Sequence, residues 1–263
     1  VTRAGLVALV CGGLMMALAC GSPAGAGGGV PAPAGSTWQY QLQGPVDTSV
    51  DAATYDVDLF STSAQTVAAL HADGRQVVCY VNAGALEDWR PDAGALPEEV
   101  RGQELEDWPD EYWLDVRRTD VLEPWLAARF DLCKEKGFDA VEPDNVDGYT
   151  HPTGFPLTED DQLAYNRLLA RLAHERGLAV GLKNDLDQVD DLVGDFDFAV
   201  NEQCAQYREC EALAPFVAAQ KPVYHVEYDL PLASFCPPPT GFRSIRKNIV
   251  LDAPVETCPA PAP

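Results

Sequence analysis

Strand after strand in this chain ends on a polar or charged residue, and that recurrence limits the folds open to it. Residues 38–42, 54–60, 76–84, 112–116, 138–143, 178–184, 196–204, 222–228 and 244–250 read as strands. Residues 66–73, 119–136, 158–176, 188–194 and 209–220 read as helices, with Gly74, Gly137 and Gly177 closing the first three. Alternation of strand and helix indicates a parallel sheet. The strand ends carry Asp58, Asn82, Asp115, Asp144, Lys183 with Asn184, Glu202 and Glu227. Side chains from the ends of so many strands converge only in a closed barrel. A doubly wound sheet would gather them at one crevice, usually beside a glycine-rich phosphate loop, and no such loop is present. The expected fold is α/β, a (β/α)8 TIM barrel in a single domain, with eight or nine strands and so room for an extra one. No helix is evident after residue 250, a departure from a complete barrel pattern.

The 263 residues suffice for one domain of this size. Residues 1–20 read as a lipoprotein-type signal peptide. Arg3 precedes a short apolar run that ends at Ala17-Leu18-Ala19-Cys20. Cys20 would carry the lipid, although Ala17 stands where a large aliphatic residue is usual; ordinary secretion with nearby cleavage is the alternative. Residues 21–36 form a Gly/Ala/Pro linker with no capacity to bury a core. The folded domain is expected over 37–252, followed by an irregular Pro-rich tail at 253–263. Lys and Arg number 18 against 41 Asp and Glu, a formal charge of -23. Nucleic acid is therefore an unsuitable partner, whereas a cationic ligand would be attracted. A monomer is expected, with membrane contact only through the possible anchor at Cys20.

Beyond the signal region six cysteines remain, an even number that in an exported chain implies disulfides. Fifteen pairings are possible. Cys204 with Cys210 closes a short loop beside Glu202, Cys236 with Cys258 would pin the tail, and Cys79 with Cys133 is left. Metal binding has little support, because the histidines are scattered and no CxxC or HxxxH spacing occurs.

The stretch 138–149 concentrates the chemistry. It begins as an apolar strand and turns acidic, with Asp139, Glu142, Asp144 and Asp147 around Pro143. Period-2 geometry points Glu142 and Asp144 to the same face. In a barrel mouth such crowding shifts pKa values and suits acid/base work; an acidic solvated loop is the plain alternative. No GxSxG elbow, HExxH motif or Walker loop is present. Carboxylates at strand ends with aromatics nearby (Trp38, Tyr80, Trp89, Tyr149, Tyr228) meet the requirements of glycoside hydrolysis. Lys183 would keep one acid ionised. The run 185–191 reads as a solvated helix start.

Taken together, Val141-Glu142-Pro143-Asp144-Asn145-Val146-Asp147-Gly148-Tyr149, Gly181-Leu182-Lys183-Asn184, Asn201-Glu202-Gln203-Cys204 and Val226-Glu227-Tyr228 resemble glycoside hydrolase family 114. Trp38-Gln39-Tyr40-Gln41-Leu42, Asp56-Val57-Asp58, Cys79-Tyr80, Trp89-Arg90 and Trp113-Leu114-Asp115-Val116 also fit. The resemblance spans about residues 37–250. It implies a TIM-barrel endo-α-1,4-polygalactosaminidase with a catalytic Asp and Glu, which by motif are Asp144, as nucleophile, and Glu202, as general acid/base. It further implies a cationic, partly N-acetylated galactosamine polymer as substrate and no metal or organic cofactor. Asp58, Tyr80, Trp89, Asp115, Glu142, Tyr149, Lys183, Asn184 and Glu227 are expected substrate-binding residues. Glu142 has the alternative of a structural ion pair with Lys183, and Glu227 that of a buried pair with Arg or Lys. A non-catalytic polysaccharide-binding lipoprotein on the same barrel is the competing function, and an acidic interaction domain a third.

Overall fold

The computed structural model describes Val1 and residues 32–259. The expected signal peptide with Cys20, most of the expected linker and the last four residues lie outside the described residues. Eight parallel strands follow one another in space in the order of the chain: β1 (Trp38–Gln41), β2 (Thr54–Asp58), β3 (Gln76–Asn82), then β7 (Ala140–Asp144), β8 (Ala179–Lys183), β9 (Phe198–Glu202), β10 (Val223–Glu227) and β11 (Phe242–Arg246). The seam between the first and last of them is bridged without a strand ladder. Trp38 Nε1 donates to the Arg243 carbonyl at 2.7 Å, and the Leu42 N–H to the Leu251 carbonyl at 2.9 Å. Lys247 Nζ adds a bond to Gln39 Oε1 at 2.9 Å. The fold is the expected α/β barrel.

Parity along the strands sorts the core into two shells. On β3, Val77, Cys79 and Val81 face the helices, while Val78 and Tyr80 face the interior. The same rule sends Ala140, Glu142 and Asp144 inward on β7, Ala179 and Lys183 on β8, and Phe198, Val200 and Glu202 on β9. Gly181 on β8 leaves room for the Phe198 ring; a Cβ there would lie 2.3 Å from it.

Around the strands run α1 (Ala64–Ala72), α2 (Thr119–Lys136), α3 (Glu159–Glu175) and the short α4 (Val189–Leu192), α5 (Cys204–Tyr207) and α6 (Ala214–Ala218). Gly137 ends α2 with φ 94°. Thr158 and Asp161 cap α3 reciprocally. The expected helix over 209–220 is instead a 3-10 turn followed by α6, because Pro215 starts a new helix only after Leu213.

Two regions differ from the sequence reading. The strand near residues 112–116 is β6 (Glu111–Leu114), and it is not a barrel stave. It pairs antiparallel with β4 (Ala85–Glu87) and β5 (Arg101–Glu104) in a separate three-stranded sheet inserted between β3 and α2. The long connection between β3 and α2 therefore has a sheet of its own. Gly84 sets the entry to this insertion: a Cβ there would meet the Asn145 carbonyl oxygen at 1.6 Å. Past Asp252, the tail adds β12 (Glu256–Thr257), which pairs antiparallel with β11.

Three disulfides join Cys79 to Cys133, Cys204 to Cys210 and Cys236 to Cys258. The first ties the outer face of β3 to α2 across 54 residues. Cross-linking a loop of that length restricts the unfolded chain strongly. Replacing both cysteines with Ala is expected to lower unfolding free energy by about 2–5 kcal/mol, read from denaturant melts. A change below half a kcal/mol would show that packing alone holds α2 on the barrel.

Candidate active site

Lys183, at the end of β8, is 2% exposed and lies among three carboxylates. Its Nζ stands 3.0 Å from Asp144 Oδ1, 3.3 Å from Glu142 Oε1 and 3.3 Å from Glu202 Oε2. Three neighbouring staves supply all four groups: Asp144, Lys183 and Glu202 are the last inward residues of β7, β8 and β9, and Glu142 lies one inward position below Asp144. Desolvation alone would drive the ammonium to lose its proton; the surrounding anions more than reverse this and raise its pKa well above the ordinary value.

Each carboxylate has its own environment. Burial would raise the Asp144 carboxyl, but Lys183, the Tyr80 hydroxyl at 2.7 Å and the Asn145 N–H together hold it below its usual value. Glu142 is fully buried and is pushed up by that burial, against the pull of Lys183. Below it the Asp56 carboxyl is raised well above its ordinary value by burial and by the neighbouring Glu142. Tyr40 donates to Glu142 at 3.0 Å and accepts from Lys183 at 3.2 Å. Glu202 accepts from the Tyr228 hydroxyl and from Asn184 Nδ2, the latter at 3.2 Å, while its own N–H donates to Asn184 Oδ1.

The turns that leave β7, β8 and β9 have a common geometry. Asn145, Asn184 and Gln203 follow the strand ends directly, with φ of 60°, 50° and 62°. Left-handed backbone suits Asn, whose side chain bonds locally. At Gln203 it stores strain of order 1 kcal/mol. Behind that turn Glu227 takes the N–H groups of Ala205 and Gln206, so it anchors the segment that follows Glu202.

A cleft of about 740 Å3 opens above the cluster. Asp58, Tyr80, Trp89, Asp144, Lys183, Asn184 and Glu202 all line it. Nine carboxylate residues face the cleft against two permanent cations, Lys183 and Arg90. Both cations are already paired, since Arg90 binds Asp58 at 2.6 Å and Glu87 at 2.6 Å. Trp89, 55% exposed, and Trp108 offer aromatic faces at the rim.

Four expected binding residues stand elsewhere. Asp115 follows the inserted strand β6 rather than a stave, and pairs with Arg117 at 2.7 Å. Tyr149 turns its hydroxyl to Asp185, away from the cleft. Glu142 lies beneath the cleft floor. Glu227 has the opposite parity to Tyr224 and Val226, which sends it out of the barrel; its partner is His225 at 2.8 Å rather than Arg or Lys. Asp185 is buried, not a solvated helix start, and burial lifts its carboxyl to about 8.

Among the described residues, Cys204, Cys210 and His225 form a group compact enough for a metal, within 4.8 Å. Two of its members are joined as a disulfide and His225 is held between Ser244 and Glu227, so no free ligand remains. Tyr40, Asp56, Glu87 and Glu111 were not singled out from sequence. Alternation in Trp38-Gln39-Tyr40 and in Asp56-Val57-Asp58 carries the signal for the first two. Glu87 and Glu111 belong to the insertion, which no period announced.

Paired carboxyls at the carboxyl ends of parallel staves, opening on a long acidic cleft, define a barrel glycoside hydrolase. A family model described as glycoside-hydrolase family GH114 matches residues 21–262, and the chain belongs to that family. The structure of Aspergillus fumigatus Ega3 in complex with galactosamine is 38% identical, with a TM-score of 0.82 over 87% of this chain and 97% of that one. The glycoside hydrolase domain of PelA from Pseudomonas aeruginosa, 13% identical, shares the fold with a TM-score of 0.66 over 85% of this chain and 98% of its own. No curated protein matches the chain.

Proposed function

We propose that this glycoside hydrolase cleaves α-1,4-linked galactosamine polymers outside the cytoplasm, with Asp144 as nucleophile and Glu202 as general acid/base. The observation that carries the substrate class is the cleft's nine carboxylates against two cations that are already engaged. A polymer bearing free amines meets an attractive field over that whole surface, and the similar Ega3 was solved with galactosamine.

In the first step Glu202 gives its proton to the glycosidic oxygen while an Asp144 oxygen forms a bond to the anomeric carbon. The leaving sugar departs with that proton and the glycosyl ester remains. In the second step Glu202 takes a proton from water, whose oxygen displaces Asp144 and frees the sugar. Asp144 suits attack because Lys183 and Tyr80 stabilise its ionised form. Asp144 Oδ1 and Glu202 Oε2 lie 3.0 and 3.3 Å from one nitrogen, and so no further apart than those two distances end to end, about 6.3 Å. That is short of the roughly 6.5–9.5 Å that leaves room for water in inverting enzymes. Retention is the expected outcome.

Three disulfides suit an oxidising compartment. Lipidation at Cys20, with residues 21–36 as spacer, would place the barrel at the cell envelope.

The test is reducing-end release from deacetylated α-1,4-galactosaminan beside a β-1,4-glucosamine polymer. Cleavage of the first alone, with the α anomer as the earliest product by proton NMR, is expected. A β product would overturn retention, and equal cleavage of both polymers would overturn the substrate assignment.

A further inference from the structure

We propose that Glu111 reads the sugar amine: it is a buried carboxyl in the cleft whose cationic partner is supplied by a substrate ammonium group. This rests on the polygalactosamine reading and names the residue that distinguishes a free amine from an N-acetyl group.

The geometry leaves Glu111 without an ion-pair partner among the described residues. It opens β6, is 9% exposed and lines the cleft. Directly across the antiparallel ladder stands Glu87, and like charges in that relation repel. Arg90 is committed to others, gripping Glu87 through two bonds of 2.6 and 2.7 Å and holding Asp58 as well; its charge lowers Glu111 by less than Glu87 or Asp144 raises it. From β7 the nearest charge is Asp144, another anion; from β3 comes only the uncharged Asn82, whose Nδ2 donates to Glu111 Oε2 at 3.2 Å. No Lys, Arg or His nitrogen among the described residues lies within ion-pair distance of Glu111. The other deep carboxylates of the cleft differ: Asp58 and Glu87 have Arg90, and Asp144 and Glu202 have Lys183. A buried acid without a counter-ion is costly when ionised. Burial, with Glu87 and Asp144 adding to it, accordingly lifts the carboxyl to about 8.

An ammonium group arriving beside Asp144 changes this balance. It supplies the missing positive charge, Glu111 ionises, and its proton leaves to solvent. An acetamido group has no charge to offer, so Glu111 keeps its proton. Binding of a deacetylated segment is therefore coupled to release of one proton, and binding of an acetylated segment is not.

Calorimetry separates these outcomes. Glu202→Gln protein, in which turnover is expected to be slowed, is titrated at pH 6 with a deacetylated α-1,4-galactosamine oligomer in two buffers of different ionisation enthalpy. At that pH the amine is already charged, so any proton released comes from the protein. Release of about one proton is expected. Adding Glu111→Gln, which keeps the bond from Asn82, should abolish the release and weaken binding about ten- to a hundredfold, as for a lost charged hydrogen bond. Affinity for the N-acetylated oligomer should be the same with and without that change. Unaltered proton release and affinity in the double variant would overturn the role of Glu111 and leave the substrate class standing. Failure of the Glu202→Gln protein to bind the deacetylated oligomer at all would overturn both.

Discussion

Asp144→Asn is expected to abolish turnover of the galactosamine polymer, by about 10⁴-fold or more in kcat, while the protein folds normally. The amide is isosteric but cannot form the glycosyl ester. Lys183 keeps Glu142 and Glu202 as partners, so the melting temperature should hold or rise slightly. Substrate affinity should change little, since most of the cleft is untouched. Glu202→Gln is expected to lose about 10²–10⁴-fold, the usual range for a positioned acid. Its deficit should shrink for substrates whose leaving group needs no protonation, whereas that of Asp144→Asn should not. The pH profile supplies a separate check. Because Lys183 and Tyr80 outweigh burial at Asp144, its ionised form persists below the ordinary carboxylate range. Loss of activity on the acid side through this group should therefore come only at still lower pH. Residual turnover within tenfold of the parent in Asp144→Asn would remove this residue from the nucleophile's place.

Lys183→Met should be more damaging to the molecule as a whole. It leaves Glu142, Asp144 and Glu202 around an apolar side chain, with like charges no longer neutralised. Breaking a buried pair in this way costs about 3–5 kcal/mol, and kcat should fall at least as far as in Asp144→Asn. The pH dependence has a definite sign. The folded-state pKa of Lys183 is raised, so its contribution is fully present below the ordinary lysine value of about 10.4 and lost only as pH rises through the folded value. Asp144 is depressed, so its share is present above the ordinary Asp value and lost as pH falls through the folded one. The deficit of the variant should therefore be constant near neutrality. It should narrow on acidification, as the exposed repulsion is removed by protonation of the variant's carboxylates. Chemical denaturation at several pH values reads this directly; a deficit below 1 kcal/mol at pH 7 would show that the cluster needs no central cation.

Much of the barrel was legible because its signals are local and repeated. Gly137 and the Thr158 cap mark helix ends with their own backbone chemistry. Apolar runs of β3, β8 and β9 can hardly be anything but buried strands. The polar residue closing each run gave the position of the mouth, and Asp144, Lys183 and Glu202 do meet there. Asp115 misled because a strand in an inserted sheet has the same composition as a stave; only pairing partners distinguish them, and these are non-local. Glu227 misled by one residue of parity, the shift that sends a side chain to the other face. Glu142 and Asp56 had the correct parity, but depth along the barrel axis, which decides between floor and cleft, has no signature in period-2 alternation. The acidic wall formed by the insertion followed no period and was visible only as composition.

The close approach at Gly84 bears on how such an enzyme can diversify. The Ala83 and Gly84 N–H groups both bind the Asp144 carbonyl, and the Leu114 N–H binds the Gly84 carbonyl. One end of the acidic wall is thus fastened by main-chain atoms to Asp144, the proposed nucleophile. Side chains along the wall are free to drift and retune which polymer is admitted, since none of them carries that fastening. The width of the entrance is another matter: it is gauged from the main chain at Asp144 and Asn145, and a single added methyl group at position 84 would reset it.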